Sequence, residues 1–459
     1  MQLASYASRP ALHWRSIAQG QVECGLCPRH CHLQDGQMGF CGVRGAVDGK
    51  LHTFNYGLAL AATEEFIETE AVVHFSPGAR ILSLGNIGCM MSCVFCQNWQ
   101  TSQIKHLDAE QIRRYTPQAL VQTCLENGIH MLSWTYNDPV VWHEFVVETS
   151  RLAQQHGLKN IYKSAFYIEE DPVDELIDCI DIFSLSLKSM REAFYRDATQ
   201  AELAPVLSRI VQVARSKRHL EISYLLVPGL NDATDDIRRM IEWVLANVGP
   251  RVPLHFVAFH PAYLYTQVAR TPLRALIEAR AMALAMGMHY VYLGNTQQED
   301  LNDSRCAGCG AMLVSRYGLK AAPSGLGTDG RCKQCGVLSP IVCSLEGVPA
   351  PHPPGDGADF RQSLVFHWNT EAQSVHVVRT AGSAALERLR LRPLGGGHPV
   401  MERTLAGGLD RFIVTRQSPR DTGVVVSWES DSQYQIFPLL DRAHYPVATP
   451  VADEEQLHA

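Results

Sequence analysis

The chain has 459 residues, 46% of them hydrophobic, which is enough for about two to four domains with buried cores and excludes a disordered protein. Its 40 basic and 47 acidic residues give a net charge of −7, so its overall charge gives no reason to expect binding to nucleic acid or to an anionic membrane. The first residues, MQLASYASRPALHW, lack the apolar core of a secretory signal, and no apolar run reaches the roughly 20 residues that span a bilayer. We therefore expect a cytoplasmic protein with no membrane partner.

The 14 cysteines indicate metal binding rather than disulfides, because the cytosol keeps thiols reduced. Only Cys124, Cys179 and Cys343 stand outside three groups along the chain. Grouped cysteines at short spacings are typical of metal ligands.

The first group lies in a cysteine-rich N-terminal segment, residues 1–50. Its members are Cys24, Cys27, Cys31 and Cys41. Four thiolates suit either zinc or an iron–sulfur cluster, and His30 and His32 are spare ligands. Zinc is slightly favoured, because nothing in the sequence requires a second redox centre.

Residues 51–300 are predicted to alternate strands and helices around a parallel sheet, which makes the fold class α/β. The predicted strands cover 80–85, 130–135, 160–166, 180–187, 219–227, 254–259 and 289–294. The predicted helices include 116–128, 140–157 and 235–249, each ending in glycine as helices often do. Six or more such units in this length fit a partial (β/α) barrel better than a short doubly wound sheet.

The second group, in GNIGCMMSCVFCQNW, places Cys89, Cys93 and Cys96 directly after the first predicted strand of the repeated units. A structural zinc site or a closed cubane takes four protein ligands, so three close thiolates predict a [4Fe-4S] cluster with one open iron. The alternative is three buried cysteines used as small apolar residues, which rarely occur at this spacing.

At this motif the sequence resembles the radical S-adenosylmethionine (SAM) enzymes, whose signature has this cysteine spacing. A closer similarity is to the branch of pyruvate formate-lyase activating enzyme, and within it to the AmmeMemoRadiSam-system radical SAM proteins. The segments that carry it are CGLCPRHCHLQDGQMGFCGVRG, VVHFSPG, CVFCQNWQTSQ, TYNDP, FYR, LLVPGLND, PLHFVAFHP and VYLGN. The resemblance implies a barrel of the radical SAM type, a catalytic [4Fe-4S] cluster on Cys89, Cys93 and Cys96, and S-adenosyl-L-methionine as a cofactor.

The resemblance also implies cofactor-binding roles for five residues, namely Phe95, Asn137, Asp138, Lys188 and His260. Asp138 has an equally good ordinary interpretation, because an aspartate before Pro139 is a common helix N-cap. Lys188 and His260 could also be surface side chains. The segment VPGLND reads equally well as a turn followed by a cap at Asp232.

The third group predicts a zinc ribbon in residues 301–345. Its ligands are Cys306, Cys309, Cys332 and Cys335, in the knuckles CAGCG and CKQCG. A proline- and glycine-rich linker is predicted at 346–358, followed by a small β domain at 359–459 with β runs at 363–368, 374–379, 411–416 and 423–428.

These features together predict an iron-dependent, metal-binding oxidoreductase or activating enzyme. It would cleave S-adenosylmethionine reductively and abstract hydrogen from an unidentified protein or small-molecule substrate. Its expected partner is an electron donor such as flavodoxin or ferredoxin. Alternatives are a glycyl-radical-enzyme activase, an RNA-modifying radical SAM enzyme and a non-catalytic iron–sulfur electron-transfer protein. Nucleic acid is an unlikely partner, because neither ribbon knuckle lies among dense basic and aromatic residues.

Overall fold

A computed structural model describes residues 8–296, 301–317 and 319–343. Towards the C-terminus it describes 362–368, 374–381, 386–394, 400–406, 409–416, 422–428 and 432–439. The predicted linker at 346–358 lies outside the described residues.

The N-terminal segment forms two small antiparallel sheets around its cysteines. One sheet has the order β1-β6-β5 and the other the order β2-β3-β4. Their strands are β1 (Arg9–Pro10), β2 (Trp14–Ser16), β3 (Val22–Cys24), β4 (His32–Leu33), β5 (Arg44–Val47) and β6 (Lys50–Thr53). A short strand β7 (Leu58–Ala59) follows and later pairs with a strand of the next region.

A large, mostly parallel sheet forms the centre of the molecule, as the α/β prediction required. It begins with β8 (Ala62–Phe66), which is antiparallel to its neighbour, and continues with parallel strands. The strands are β9 (Arg80–Leu84), β11 (Met131–Trp134), β12 (Lys159–Ser164), β13 (Ile182–Ser186), β14 (His219–Leu226), β15 (Leu254–Ala258) and β16 (Val291–Gly294). The short strand β10 (Arg113–Arg114) pairs with β7 outside this sheet. All seven predicted strands are therefore present.

Helices connect the parallel strands. They are α1 (Trp99–Ser102), α2 (Pro117–Asn127), α3 (His143–Gln155), α4 (Glu170–Cys179), α5 (Glu192–Phe194), α6 (Leu203–Arg215), α7 (Thr234–Asn247) and α8 (Leu273–Ala285). Short 3₁₀ turns lie at Ala18–Gly20, Ile67–Glu70, Ile104–His106, Ala109–Gln111 and Pro139–Trp142, and a π turn at Tyr195–Thr199. Helix α2 shows how local sequence sets the ends: the Thr116 hydroxyl accepts from the Ala119 N–H, and Gly128 ends the helix at a φ of 59°.

The segment between β8 and β9 lies against the polar face of the sheet. Its Glu70 carboxylate accepts hydrogen bonds from Ser83 (3.2 Å), Ser133 (2.9 Å) and Thr135 (2.7 Å). The Lys163 ammonium donates to the Glu70 carbonyl oxygen at 2.6 Å. These bonds satisfy the buried carboxylate and fix the segment to β9, β11 and β12.

The ribbon region packs on the same segment. It contains β17 (Ser304–Arg305), β18 (Met312–Tyr317) and β19 (Lys320–Ala322). Main-chain hydrogen bonds join Ser76 N–H to the Val342 carbonyl oxygen (2.7 Å) and Val342 N–H to the His74 carbonyl oxygen (2.9 Å). The buried Arg316 guanidinium donates to the Val73 carbonyl oxygen at 2.6 Å. The predicted ribbon region and the β8–β9 segment are therefore hydrogen-bonded to each other.

The C-terminal strands are β20 (Gln362–His367), β21 (Ser374–Ala381), β22 (Leu386–Leu394), β23 (Met401–Ala406), β24 (Leu409–Thr415), β25 (Gly423–Trp428) and β26 (Gln433–Leu439). Four of them correspond to the predicted β runs, and β22, β23 and β26 were not predicted. One sheet has the order β20-β25-β22-β23. The other three strands continue the central sheet, because β24 pairs in parallel with β8 and β21 lies between β24 and β26. Three of the seven C-terminal strands described are thus part of the central sheet, and the other four form a sheet of their own.

A buried ion pair joins these strands to the rest of the fold. Glu64 in β8 is fully buried and contacts the guanidinium groups of Arg80 and Arg403, the latter at 2.5 Å. Burial alone would raise the pKa of Glu64, but the two guanidinium groups outweigh burial and lower it. Glu64 is therefore ionised and depends on both arginines.

We expect Arg403→Met to destabilise the protein by about 2–4 kcal/mol, because a buried carboxylate loses one of its two partners. Urea unfolding at neutral pH measures this change. The unfolded carboxyl takes up a proton near pH 4.5, whereas the folded one stays ionised to lower pH. The stabilising contribution of ionised Glu64 is therefore present at neutral pH and is lost as the pH falls through the folded pKa. The unfolding free energies of the wild type and of Arg403→Met should therefore become similar in acid.

The matched control is Arg274→Met, which removes an exposed partner of Glu278 on α8. Exposed pairs contribute little, so this variant should unfold like the wild type. An Arg403→Met protein as stable as the control would contradict the role assigned to the buried pair.

Candidate functional site

The loop that carries the three predicted cluster ligands, residues 85–98, follows the carboxyl end of β9. Cys89, Cys93 and Cys96 are all partly exposed in it. Burial of the sulfur atoms raises the pKa of all three thiols, and the Lys188 ammonium partly opposes this for Cys93 and Cys96. Buried thiols of this kind ionise when a metal compensates the charge, as the ligands of an iron cluster do.

Hydrogen bonds to several elements hold this loop in place. The Ser92 and Val94 N–H groups donate to the carbonyl oxygens of Thr199 and Ala198, both at 3.0 Å, in the π turn before α6. The Leu264 N–H donates to the Val94 carbonyl oxygen at 2.9 Å. Single π turns inside helices are frequent at functional sites, and here the turn supplies main-chain acceptors to the loop.

Two glycines let neighbouring segments approach the loop. A Cβ atom at Gly88, where φ is 83°, would lie 2.7 Å from Val43 Cγ1 and 2.8 Å from the Cys41 carbonyl oxygen. A Cβ atom at Gly85 would lie 2.7 Å from Tyr136 Cδ2. Only glycine fits at Gly88, both for its φ and for the close backbone contact. The N-terminal segment and the TYNDP segment therefore touch the loop directly.

Asn137 and Asp138 differ in what they contact. The Asp138 carboxylate accepts from the Ser164 hydroxyl (2.7 Å), the Ala165 N–H (2.8 Å) and the Val140 N–H (3.2 Å). The N-cap interpretation of Asp138 is therefore confirmed, and its oxygens are already occupied. The Asn137 amide donates to the Gly88 carbonyl oxygen at 2.8 Å, but its buried Oδ1 has no hydrogen-bond partner. An unsatisfied buried acceptor suits a ligand that carries an N–H group.

Lys188 follows the carboxyl end of β13 and lies near the cysteine loop. Its ammonium nitrogen is 6.0 Å from the centre of the Phe95 ring, and Phe95 is buried. The main chain at Lys188 is fixed from both directions, because its N–H donates to the Tyr195 hydroxyl (3.1 Å) and its carbonyl oxygen accepts from the Asn231 amide (2.6 Å). Lys188 thus supplies a positive charge beside the cysteine loop.

His260 follows the carboxyl end of β15 and is partly buried. Among the other predicted site residues, Lys188 interacts electrostatically with Cys93, Cys96 and Asp138. The structure therefore brings the cysteine loop, the TYNDP segment and Lys188 to one edge of the sheet.

Sequence reasoning missed Asn231 and Arg29. Asn231 is buried, accepts from the Val227 N–H (2.6 Å) and donates to the Lys188 carbonyl oxygen. Asp232 accepts from the Gly229 N–H within the turn. Helix α7 has no side-chain cap, so the predicted cap at Asp232 was wrong. Arg29 donates to the Met90 carbonyl oxygen, next to Cys89, at 2.5 Å. Nothing in the sequence, other than their position in a motif, indicated that Asn231 and Arg29 contact the site.

The ribbon cysteines form a compact four-thiol group whose sulfur atoms all lie within 4.8 Å of one another. The sulfur atoms of Cys306 and Cys335 are 3.6 Å apart, and those of Cys309 and Cys332 are 3.8 Å apart. Tetrahedral zinc with bonds of about 2.3 Å separates its sulfur ligands by about 3.8 Å. These distances fit a single zinc ion.

A second compact group lies between the N-terminal segment and helices α3 and α4. His13 Nε2 and His143 Nε2 each lie 3.2 Å from an oxygen of Glu175. The three ligand atoms are within 4.8 Å of one another. The described part of the chain holds no third group this compact, and none of its helices is long and apolar enough to cross a membrane.

Comparison with known proteins gives one family match. Residues 86–244 match the model of the Radical SAM superfamily. An uncharacterized protein of Methanocaldococcus jannaschii is 34% identical over 335 residues, which cover 73% of this chain and 99% of that protein. The pyruvate formate-lyase 1-activating enzyme of Escherichia coli K12 is 24% identical over 36% of this chain and 69% of its own. A radical SAM methyltransferase structure from Sphaerobacter thermophilus covers 51% of this chain and 71% of its own, at 13% identity and a TM-score of 0.39.

We expect Cys309→Ser and Cys335→Ser each to remove about one zinc per chain and to lower the unfolding temperature, because structural zinc contributes folding energy. Metal analysis of the purified proteins and thermal unfolding measure both effects. Cys343→Ser is the matched control, since Cys343 packs beside the ribbon but lies outside its four-thiol group. Zinc content unchanged in both ligand variants would contradict a zinc ribbon.

Proposed function

Because the chain belongs to the radical SAM superfamily, we propose that it binds a [4Fe-4S] cluster through Cys89, Cys93 and Cys96 and cleaves S-adenosylmethionine at the cluster's open iron. We place it in the AmmeMemoRadiSam branch, with a partial barrel of the radical SAM type formed by β9 and β11–β16. The observation that carries the proposal is the common position of three thiols, an unsatisfied amide oxygen and a lysine at the carboxyl ends of these strands.

When bound, the cluster would supply the single electron needed for reductive cleavage of the sulfonium of S-adenosylmethionine, the chemistry that precedes hydrogen abstraction from a substrate. The chain's own side chains bind and orient the cofactor. The buried Oδ1 of Asn137 would accept from the cofactor's ammonium group, and the Lys188 ammonium, which acts electrostatically on Cys93, would pair with its carboxylate. Phe95 is buried near Lys188, and His260, which follows β15, would be a further contact of the cofactor.

The remaining assignments follow from the family and the composition. A low-potential one-electron donor such as flavodoxin or ferredoxin supplies the electron, and the protein works in the cytoplasm. Its segments are the cysteine-rich residues 1–50, the radical SAM region 51–300, the zinc ribbon 301–345, the linker 346–358 and the β region 359–459. The substrate is a protein or a small molecule, and the similarity to pyruvate formate-lyase 1-activating enzyme favours an oxidoreductase or activase reaction.

Substitution of the open-cluster cysteines tests the function. We expect Cys89→Ala, Cys93→Ala and Cys96→Ala each to lose the iron of that cluster and all 5′-deoxyadenosine formation, while circular dichroism stays that of the wild type. The measurements are iron content after anaerobic reconstitution and product yield with dithionite as reductant. Cys124→Ala is the control, because Cys124 lies in α2, outside the three groups.

Wild-type yields of 5′-deoxyadenosine in any of the three variants would contradict the assignment. A wild type that binds iron but forms no 5′-deoxyadenosine would favour the non-catalytic electron-transfer protein. Cleavage that is stimulated by RNA would favour the RNA-modifying enzyme, and cleavage stimulated by a glycyl-radical enzyme would favour the activase.

A paired substitution tests the role of Asn137. Asn137→Ala removes the acceptor for the cofactor's ammonium group, and we expect about 10- to 100-fold weaker S-adenosylmethionine binding with unchanged iron content. Asn137→Asp keeps an acceptor oxygen but loses the donor to Gly88, so it should retain most of the affinity. Equilibrium dialysis of the reconstituted proteins measures the binding. Equal loss in both variants would show that Asn137 acts only by holding the loop.

A further inference from the structure

The four N-terminal cysteines line one cavity. Cys24 ends β3, Cys27 and Cys31 lie in the connection from β3 to β4, and Cys41 lies before β5. All four face a cavity whose wall also includes Arg29, Arg44 and Met90. The segment that carries the cysteines turns back on itself, with the Cys24 N–H donating to the Cys31 carbonyl oxygen at 3.0 Å. Residues separated along the chain are thus gathered around one space.

The two nearby histidines face carboxylates rather than this cavity. His30 Nε2 lies 3.0 Å from Glu169, and His32 Nε2 lies 3.3 Å from Glu23. Both side chains are about half exposed. The ligand set is therefore four thiols, without the spare imidazoles that the sequence suggested.

The spacing of these thiols differs from that of the ribbon. The ribbon sulfur atoms stand 3.6 and 3.8 Å apart in pairs, as a single ion requires. All four N-terminal cysteines lie in the described part of the chain, and no three of their sulfur atoms come within 4.8 Å of one another. A cubane binds each thiolate at a different iron, so its ligands stand farther apart than those of one zinc ion. The wider spacing favours a cluster.

The charge around the cavity also suits a cluster. Arg44 is buried, binds the Glu144 carboxylate at 2.8 Å and donates to the Leu12 carbonyl oxygen at 2.6 Å. Its remaining donor, the Nε–H, is buried without a hydrogen-bond partner. A cluster held by four thiolates is anionic, and its sulfur atoms accept hydrogen bonds. The arginine supplies both a positive charge and an unused donor at the cavity wall.

The cavity adjoins the loop that carries the open-cluster cysteines. Met90, which follows Cys89, forms part of its wall, and Arg29 donates to the Met90 carbonyl oxygen at 2.5 Å. At Gly88, which precedes Cys89, a Cβ atom would lie 2.8 Å from the Cys41 carbonyl oxygen. A ligand segment of the N-terminal group and a ligand segment of the open cluster are therefore in direct contact.

We propose that Cys24, Cys27, Cys31 and Cys41 bind a second [4Fe-4S] cluster, closed by four thiolates, that passes electrons to the open cluster. A one-electron donor protein is oxidised as the second cluster is reduced. The second cluster then returns to its oxidised state as the open cluster gains the electron, which finally breaks the sulfonium bond of S-adenosylmethionine. The binding of the cluster stands by itself, whereas the electron relay rests on the function proposed above.

Metal analysis tests the binding site. The reconstituted wild type should contain about eight irons and eight sulfides per chain, as two [4Fe-4S] clusters require. A Cys27→Ser/Cys31→Ser variant and a Cys89→Ser/Cys93→Ser/Cys96→Ser variant should each keep about four of both, and Cys343→Ser should keep all. A wild type with about four irons, and with zinc that disappears in the Cys27→Ser/Cys31→Ser variant, would overturn the proposal.

Electron paramagnetic resonance of the reduced wild type gives a test that needs no variant. S-adenosylmethionine binds only an open iron, so it should shift about half of the cluster signal and leave the other half unchanged. A shift of the whole signal would mean a single type of cluster and would overturn the second site.

The choice of reductant separates the relay from the proposed function. In the Cys27→Ser/Cys31→Ser variant, 5′-deoxyadenosine formation with flavodoxin should fall at least about 10-fold below that of Cys343→Ser, while formation with dithionite should persist, because the small reductant reaches the open cluster directly. Unchanged formation with flavodoxin would overturn the relay, and equal loss with both reductants would indicate a structural role instead. A failure of the wild type with dithionite would count against the proposed function alone, since iron counting reports the second site independently.

Discussion

The close backbone contact at Gly88 is the constraint on which the candidate site depends. Gly88 adopts a φ of 83° and lies against Cys41 and Val43, so a side chain there would push the N-terminal segment away from the cysteine loop. Its carbonyl oxygen also receives the Asn137 amide. A single residue without a Cβ atom therefore joins three regions that are distant in sequence, and it does so one position before Cys89, the first of the three cysteines in the loop.

Two neighbouring polar residues of the TYNDP segment, Asn137 and Asp138, differ in how far their hydrogen-bonding groups are used. Asp138 uses its carboxylate oxygens to cap the following 3₁₀ turn and to hold the end of β12 through Ser164 and Ala165. Asn137 is held by one donor bond and keeps its acceptor unused. Buried acceptors without partners are costly, so the unused oxygen marks the position at which a ligand would restore the lost hydrogen bond. The resemblance implies a cofactor-binding role for both residues, and the structure shows in addition that Asp138 is a cap and that the Asn137 oxygen has no hydrogen-bond partner.

Local pattern predicted the parallel strands because each is a short apolar or β-branched run bounded by turns and followed by an amphipathic helix. It also predicted the ends of α2, where Thr116 and Gly128 form ordinary caps. Strand pairing and ion pairing between segments that are distant along the chain have no comparable signal in the local sequence. Nothing near β24 indicates that it pairs with β8, and nothing near Arg403 indicates a partner at Glu64. Asn231 was missed for a related reason, since asparagine in a turn already has a sufficient local explanation.

The two four-cysteine groups, one before and one after the parallel strands, differ in their contacts. The predicted ribbon is hydrogen-bonded to the β8–β9 segment through Arg316 and the main chain of Val342, so an ion bound by its four cysteines would also stabilise that segment. A closed site with thiols at single-ion distances suits that purpose, because no ligand has to enter. The N-terminal cysteines instead adjoin the loop of Cys89, Cys93 and Cys96, and their wider spacing and the unused Nε–H donor of Arg44 would suit the proposed second cluster. The spacing of the thiols therefore differs between the two groups, although both motifs consist of four cysteines, and this difference is the basis for proposing a single ion at one and a cluster at the other.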